Sequence, residues 1–124
     1  PHIIRQLKEN GSVELLENSR VNRRTFLHNE DSCAAVIALI RSEEALDGSV
    51  YNVATDEEIS IIDLVKLCAD KAGIPDPKIT FRGYRESDPE RRVLNTEKIR
   101  TRTGWKPLIT LEHGIEMCLE EMSD

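Results

Sequence analysis

The chain is poor in the residues that announce a self-sufficient active site. Its six glycines never fall in a G-x-G pattern. That removes both the dinucleotide-binding turn and the phosphate loop of nucleotide hydrolases. Neither G-x-S-x-G nor H-E-x-x-H occurs, which removes two common hydrolase signatures. The two tyrosines, Tyr51 and Tyr84, are followed four positions later by Thr55 and Asp88, so no Tyr-x-x-x-Lys pair exists. Cysteine is limited to Cys33, Cys68 and Cys118, with no C-x-x-C and no Cys/His cluster, which speaks against zinc. No run of eighteen apolar residues and no signal-peptide pattern is present. An odd number of cysteines, each on a predicted apolar helical face, fits a reducing compartment. A cytoplasmic protein without membrane contact is expected. The net charge of −6 speaks against a general nucleic-acid binder.

What is present reads as one domain. A chain of 124 residues, 39% hydrophobic and 32% charged, is of single-domain size. Such a chain buries about 65% of its unfolded surface and needs no staple. It begins at Pro1 directly in a helical pattern, so a piece of a longer protein is expected.

Periodicity predicts the elements. Ile3, Ile4 and Leu7 form one stripe, stopped at Gly11. Residues 13–16 and 25–28 read as strands. Glu30 or Asp31 should open a helix whose apolar face is Cys33, Val36, Ile37 and Ile40. VYNVA, residues 50–54, reads as a buried strand. Ser60 and Asp63 form a capping box before Leu64, Val65 and Cys68, and Gly73 with Pro75 ends that helix. A strand over 79–81, a short helix over 96–103 closed by Gly104, and a last helix after Thr110 complete the chain. The fold class expected is therefore α/β, helix-rich, with several short strands. The longest irregular stretch is GYRESDPERRVL, residues 83–94, and a loop of that length in a compact domain is often functional.

Arginine carries the chemistry. Arg20, Arg23 and Arg24 stand close together without an acid between them, and residues 82–102 hold seven more cations against four acids. An acidic chain with two local arginine concentrations suggests a small anionic ligand. A guanidinium is a planar fork that matches phosphate oxygens two at a time. The binding candidates are Arg24, Arg91, Arg92 and Asn52, the last an amide set within an apolar strand pattern. Each has a plainer alternative: Arg24 could pair with Glu30 or Asp31, Arg91 with Asp88 or Glu90, and Asn52 could serve a neighbouring backbone. His2, His28 and His113 are scattered along the chain and read as surface or capping residues, although His28 adjoins the arginines. No catalytic or metal-ligating set emerges.

The order of these pieces resembles the C-terminal part of an extended short-chain dehydrogenase/reductase, of the NAD-dependent epimerase/dehydratase family acting on nucleotide sugars. The resemblance is carried by PHIIRQLKENG, RRTFLHNEDSCAAVIALI, GSVYNVATDEEISIIDLV and SDPERRVLNTEKIRTRTGWKPLITLEHGI, in that order, and by the helix LEHGIEMCLEEM. It implies a substrate-binding C-terminal lobe, residues 1–124, without the Rossmann half that carries the Gly-rich turn and the Tyr-x-x-x-Lys pair. It also implies NAD in the parent enzyme and none bound by this chain alone, and a nucleotide sugar of UDP or dTDP type as partner. The family's diphosphate-contacting arginine aligns with Arg24, its strand asparagine with Asn52, and the arginine of its Asp-Pro loop with Arg91 or Arg92. The chain departs from the pattern at Thr25, Asn29 and Asn95. The alternative is a stand-alone, non-catalytic binding or oligomerisation module derived from that lobe, with homo-oligomerisation covering the exposed apolar surface.

Overall fold

The computed structural model describes residues 1–123. The chain packs as two compact units, Pro1–Arg24 with Ile59–Arg92 and Glu112–Asp124, and Thr25–Glu58 with Val93–Leu111. Both mix helix with short extended segments, so the helix-rich α/β expectation is met. Among the described residues no helix is long and apolar enough to cross a membrane.

In the first unit, α1 (His2–Asn10) buries Ile4 and Leu7 and stops at Gly11, whose φ of 64° is the left-handed geometry that glycine adopts without strain. β1 (Ser12–Leu15) pairs in parallel with β4 (Lys78–Phe81), with Val13 opposite Ile79. α3 (Ile61–Lys71) provides the crossover between them, as parallel neighbours require. Its buried face is Leu64, Val65, Cys68 and Ala69, and the Ser60 side chain accepts from the Asp63 amide at 3.1 Å. The short strands β2 (Arg23–Thr25) and β3 (Glu58–Ser60) form a second sheet, most of whose residues belong to this unit. α5 (Leu111–Glu121) closes the unit through Gly114 and Ile115.

The second unit is built around Ala35, Ile99 and Trp105, with Leu27, Ala38, Leu39, Tyr51 and Val53 packed against them. It holds α2 (Asn29–Arg41) and α4 (Glu97–Thr103). Trp105 is structural: its indole N–H donates to the Asp31 carbonyl at 3.0 Å.

Several expectations are corrected. The strand expected over 25–28 lies at Arg23–Thr25 instead, because His28 is taken up as the N-cap of α2, its Nδ1 accepting from the Glu30 amide at 3.1 Å. Asp31 therefore does not cap the helix. It is buried, and its carboxylate accepts from the amides of Leu108 and Ile109 at 3.0 and 2.9 Å. The face of α2 expected to pack does not: the buried side is Asp31 and Ala35, while Cys33, Val36, Ile37 and Ile40 are exposed. Residues 50–54 run without strand pairing among the described residues, and Val50 is 83% exposed. A short 3-10 turn, Glu17–Arg20, follows β1, with Asn18 and Asn22 buried.

The cysteines consequently differ. Burial pushes the Cys68 thiol up to about 11, with a further rise from Cys118, whereas Cys33 is exposed. The thiolate is the reactive form. Iodoacetamide at pH 8 is expected to alkylate Cys33 well before Cys68, read by mass spectrometry of peptides. Equal rates would show that Cys68 is not held in the core.

Candidate functional site

A cavity of about 380 Å³ lies within the first unit, lined by Leu16, Ser19, Asn22, Arg24, Ile61, Arg85, Ser87, Asp88 and Arg92. It is formed where the irregular loop after β4 is tied down onto the segment between β1 and β2. The ties are backbone and side-chain bonds of ordinary length. The Glu17 amide donates to the Gly83 carbonyl at 2.8 Å, and the Arg23 amide to the Glu90 carbonyl at 2.7 Å. The buried Asn18 amide clasps the backbone of Arg85, donating to its carbonyl and accepting from its N–H, both at 2.8 Å. These bonds satisfy polar groups that burial would otherwise leave costly.

Two residues in the cavity are positioned by a third. Asp88 accepts from Arg24 Nη2 at 2.9 Å with one oxygen and from Asn22 Nδ2 at 2.8 Å with the other. Arg24 Nη1 donates to the carbonyls of Arg23 at 2.7 Å and Glu90 at 3.3 Å. The Arg24 and Asp88 side chains are 19% and 13% exposed, so the guanidinium is partly desolvated and held at several points. An ordered fork loses less entropy on binding than a free one. Three arginines, Arg24, Arg85 and Arg92, line the cavity with this single carboxylate. The lining therefore carries an excess of positive charge, and an arginine fork suits an oxyanion with several oxygens.

A second cavity, of about 250 Å³, belongs to the other unit and includes Asp56, Glu57, Arg100 and Lys106. Its charges balance. Arg100 is bonded to Asp56 at 3.1 Å, and Glu57 accepts from the Leu111 amide at 3.0 Å. It offers no comparable anion preference. Among the described residues no group of three or more His, Cys, Asp or Glu side chains is placed to hold a metal ion.

The sequence candidates distribute as follows. Arg24 and Arg92 line the same cavity. Arg91 is exposed and does not line it. Asn52 belongs to the second unit, where its amide donates to the Asn95 carbonyl at 3.2 Å. Arg24 pairs with Asp88 and not with Glu30 or Asp31 as weighed from the sequence. Sequence reasoning passed over Arg85, Asn22 and Asp88. Arg85 stood within the second arginine concentration and could have been taken with it. Asn22 and Asp88 meet across 66 positions, a proximity no local pattern announces.

A statistical description of the GDP-mannose 4,6 dehydratase family matches residues 1–118. The chain is 30% identical over 112 residues to dTDP-L-rhamnose 4-epimerase of Burkholderia thailandensis, a match covering 90% of this chain and 30% of that protein. The solved structure of RMD from Pseudomonas aeruginosa, complexed with NADPH, superimposes with a TM-score of 0.78 at 25% identity, covering 97% of this chain and 38% of that one. UDP-glucose 4-epimerase of Thermotoga maritima, solved with UDP-glucose, shares the fold with a TM-score of 0.86 at 19% identity, over 98% of this chain and 38% of that one. The chain thus spans about a third of the length of the relatives it matches.

Proposed function

The chain belongs to the GDP-mannose 4,6 dehydratase family, and from that premise we propose that it provides the nucleotide-diphosphate-binding part of an NAD-dependent nucleotide-sugar epimerase, dehydratase or decarboxylase. The observation that carries this reading is the convergence of Arg24, Arg85 and Arg92 on one polar cavity with a single carboxylate among them. Arg24 is held by Asp88 and by two carbonyls before any ligand arrives. A diphosphate presents oxygens to several forks at once, and charge-assisted bonds of this kind contribute roughly 1.5–3 kcal/mol each. Holding the diphosphate fixes the attached sugar at a set distance, and remote binding energy spent this way positions the reacting carbon.

In such an enzyme NAD, when bound, would supply hydride acceptance from the sugar and often its return. The glycines at positive φ lie where helices end (Gly11, Gly73 and Gly104) or in loops with no helix directly after them (Gly48 and Gly83), so none of them builds the glycine turn on which a pyrophosphate rests. The reading accordingly gives this chain the substrate side of the reaction and no hydride step of its own.

A two-dimensional amide NMR titration with UDP and dTDP tests the reading. The expected result is that the cross-peaks of Arg24, Asp88 and Arg92 shift while those of α4 stay in place. A dispersed spectrum that ignores both nucleotides would overturn it.

A further inference from the structure

The arginines of the anion cavity are held in different ways. Arg24 is fixed through its guanidinium: Nη1 donates to the carbonyls of Arg23 and Glu90, and Nη2 to Asp88. Much of its donor set is thereby engaged inside the protein. Arg85 is the converse. Its main chain is gripped by the Asn18 side chain, whose Nδ2 donates to the Arg85 carbonyl and whose Oδ1 accepts from the Arg85 N–H, both at 2.8 Å. Among the described residues its guanidinium makes no hydrogen bond and no ion pair. Asn18 is itself anchored. It is 6% exposed and sits in the 3-10 turn, where the neighbouring Glu17 amide donates to the Gly83 carbonyl at 2.8 Å. A side-chain amide that takes both backbone groups of one residue acts as that residue's ladder partner and fixes where its side chain leaves the chain. Arg85 is exposed, so this buried grip orders no core packing by Arg85. It orders the place of a cation.

We infer that Asn18 is a positioning residue for the anion: it sets Arg85 so that an unengaged guanidinium is available to the cavity before a nucleoside diphosphate arrives. The inference rests on the reading of that cavity as a diphosphate site and adds the residue that pre-orders its free fork. Gathering a loose loop arginine on binding costs entropy, and pre-ordering removes that cost. Asn18 thus contributes to affinity through Arg85, without touching the ligand.

The test is a double-mutant cycle on this chain, read by calorimetry with UDP. Asn18→Ala is expected to weaken binding about tenfold when Arg85 is present and less than about twofold in the Arg85→Ala background, where nothing is left to position. An equal loss in both backgrounds would make Asn18 a purely structural residue and overturn the inference. No loss in either background overturns it too, as does an Arg85→Ala chain that binds UDP like the parent. In each of these cases the parent still binds UDP, so the diphosphate reading survives on Arg24 and Arg92. A parent chain that does not bind UDP removes both. Should Asn18→Ala not fold, Asn18→Ser takes its place in the cycle, its hydroxyl being too short to reach both Arg85 groups. The unmodified chain gives a reading that needs no variant. Without ligand, the Arg85 amide is expected to exchange more than about tenfold slower than an open-chain amide, because the grip precedes the ligand. An open-chain rate there overturns the inference, whatever UDP then does.

Discussion

Replacing Arg24 by alanine is expected to weaken the binding of UDP by about ten- to a hundredfold, the loss that accompanies removal of a charge-assisted bond of roughly 1.5–3 kcal/mol. Two effects add in the same direction. The fork that would face the phosphate oxygens disappears. Asp88, which accepts from Arg24 at 2.9 Å, is then left as a carboxylate without that guanidinium, and its charge repels the incoming anion. Arg24→Lys restores the charge but not the planar pair of donors, so it should recover only part of the loss. Arg91→Ala is the control, because Arg91 lies outside the cavity and its removal should change affinity little. Isothermal titration calorimetry with UDP reads all three. An Arg24→Ala protein that binds UDP like the parent would remove this residue from the account.

The largest stability effect is expected at Asp31. Its carboxylate accepts from two consecutive backbone amides, Leu108 and Ile109, and its own carbonyl accepts from the Trp105 indole. One residue of α2 thus fixes the turn that follows α4 from both its side chain and its backbone. Asp31→Ala leaves two amide donors without partners in a site where the residue itself is 4% exposed. Each such orphan costs about 1–3 kcal/mol, so a loss of about 2–6 kcal/mol is expected. In urea that is a midpoint lower by roughly 1–3 M at an ordinary slope. Asp31→Asn keeps the shape and one acceptor and should fall between the two. An unchanged midpoint for Asp31→Ala would show that the turn is held by Trp105 packing alone.

How far the sequence could be read depended on how local each determinant was. Helix α3 was fully legible: a capping serine, one unbroken apolar stripe and a terminal glycine all lie within fifteen residues of each other, and all three agree. Helix α2 was legible as a helix and illegible as a surface. Its apolar residues occupy more than one face, so spacing alone selected Cys33, Val36, Ile37 and Ile40, while the core took Ala35, Ala38 and Leu39. The run at 50–54 was read as a strand from its composition, but a strand needs a ladder partner, and composition does not supply one. The same division holds in the site. Arg24 and Arg92 could be found because arginine clusters are visible along the chain. The Asp88 carboxylate that orients Arg24, and the Asn22 and Asn18 amides that fix the loop, act across more than sixty positions. Such contacts emerge only when the segment before β2 and the loop after β4 are folded together.

The central claim is that this chain holds a nucleotide by its phosphates, with arginines of one cavity. The measurement that tests it most directly is the affinity of the purified chain for uridine, UMP and UDP, taken side by side by calorimetry at low salt. The account predicts that affinity rises with each phosphate and that the rise is reduced by added salt, as screening of the guanidinium–phosphate attraction requires. Three equal affinities, or no binding of UDP at all, would contradict it.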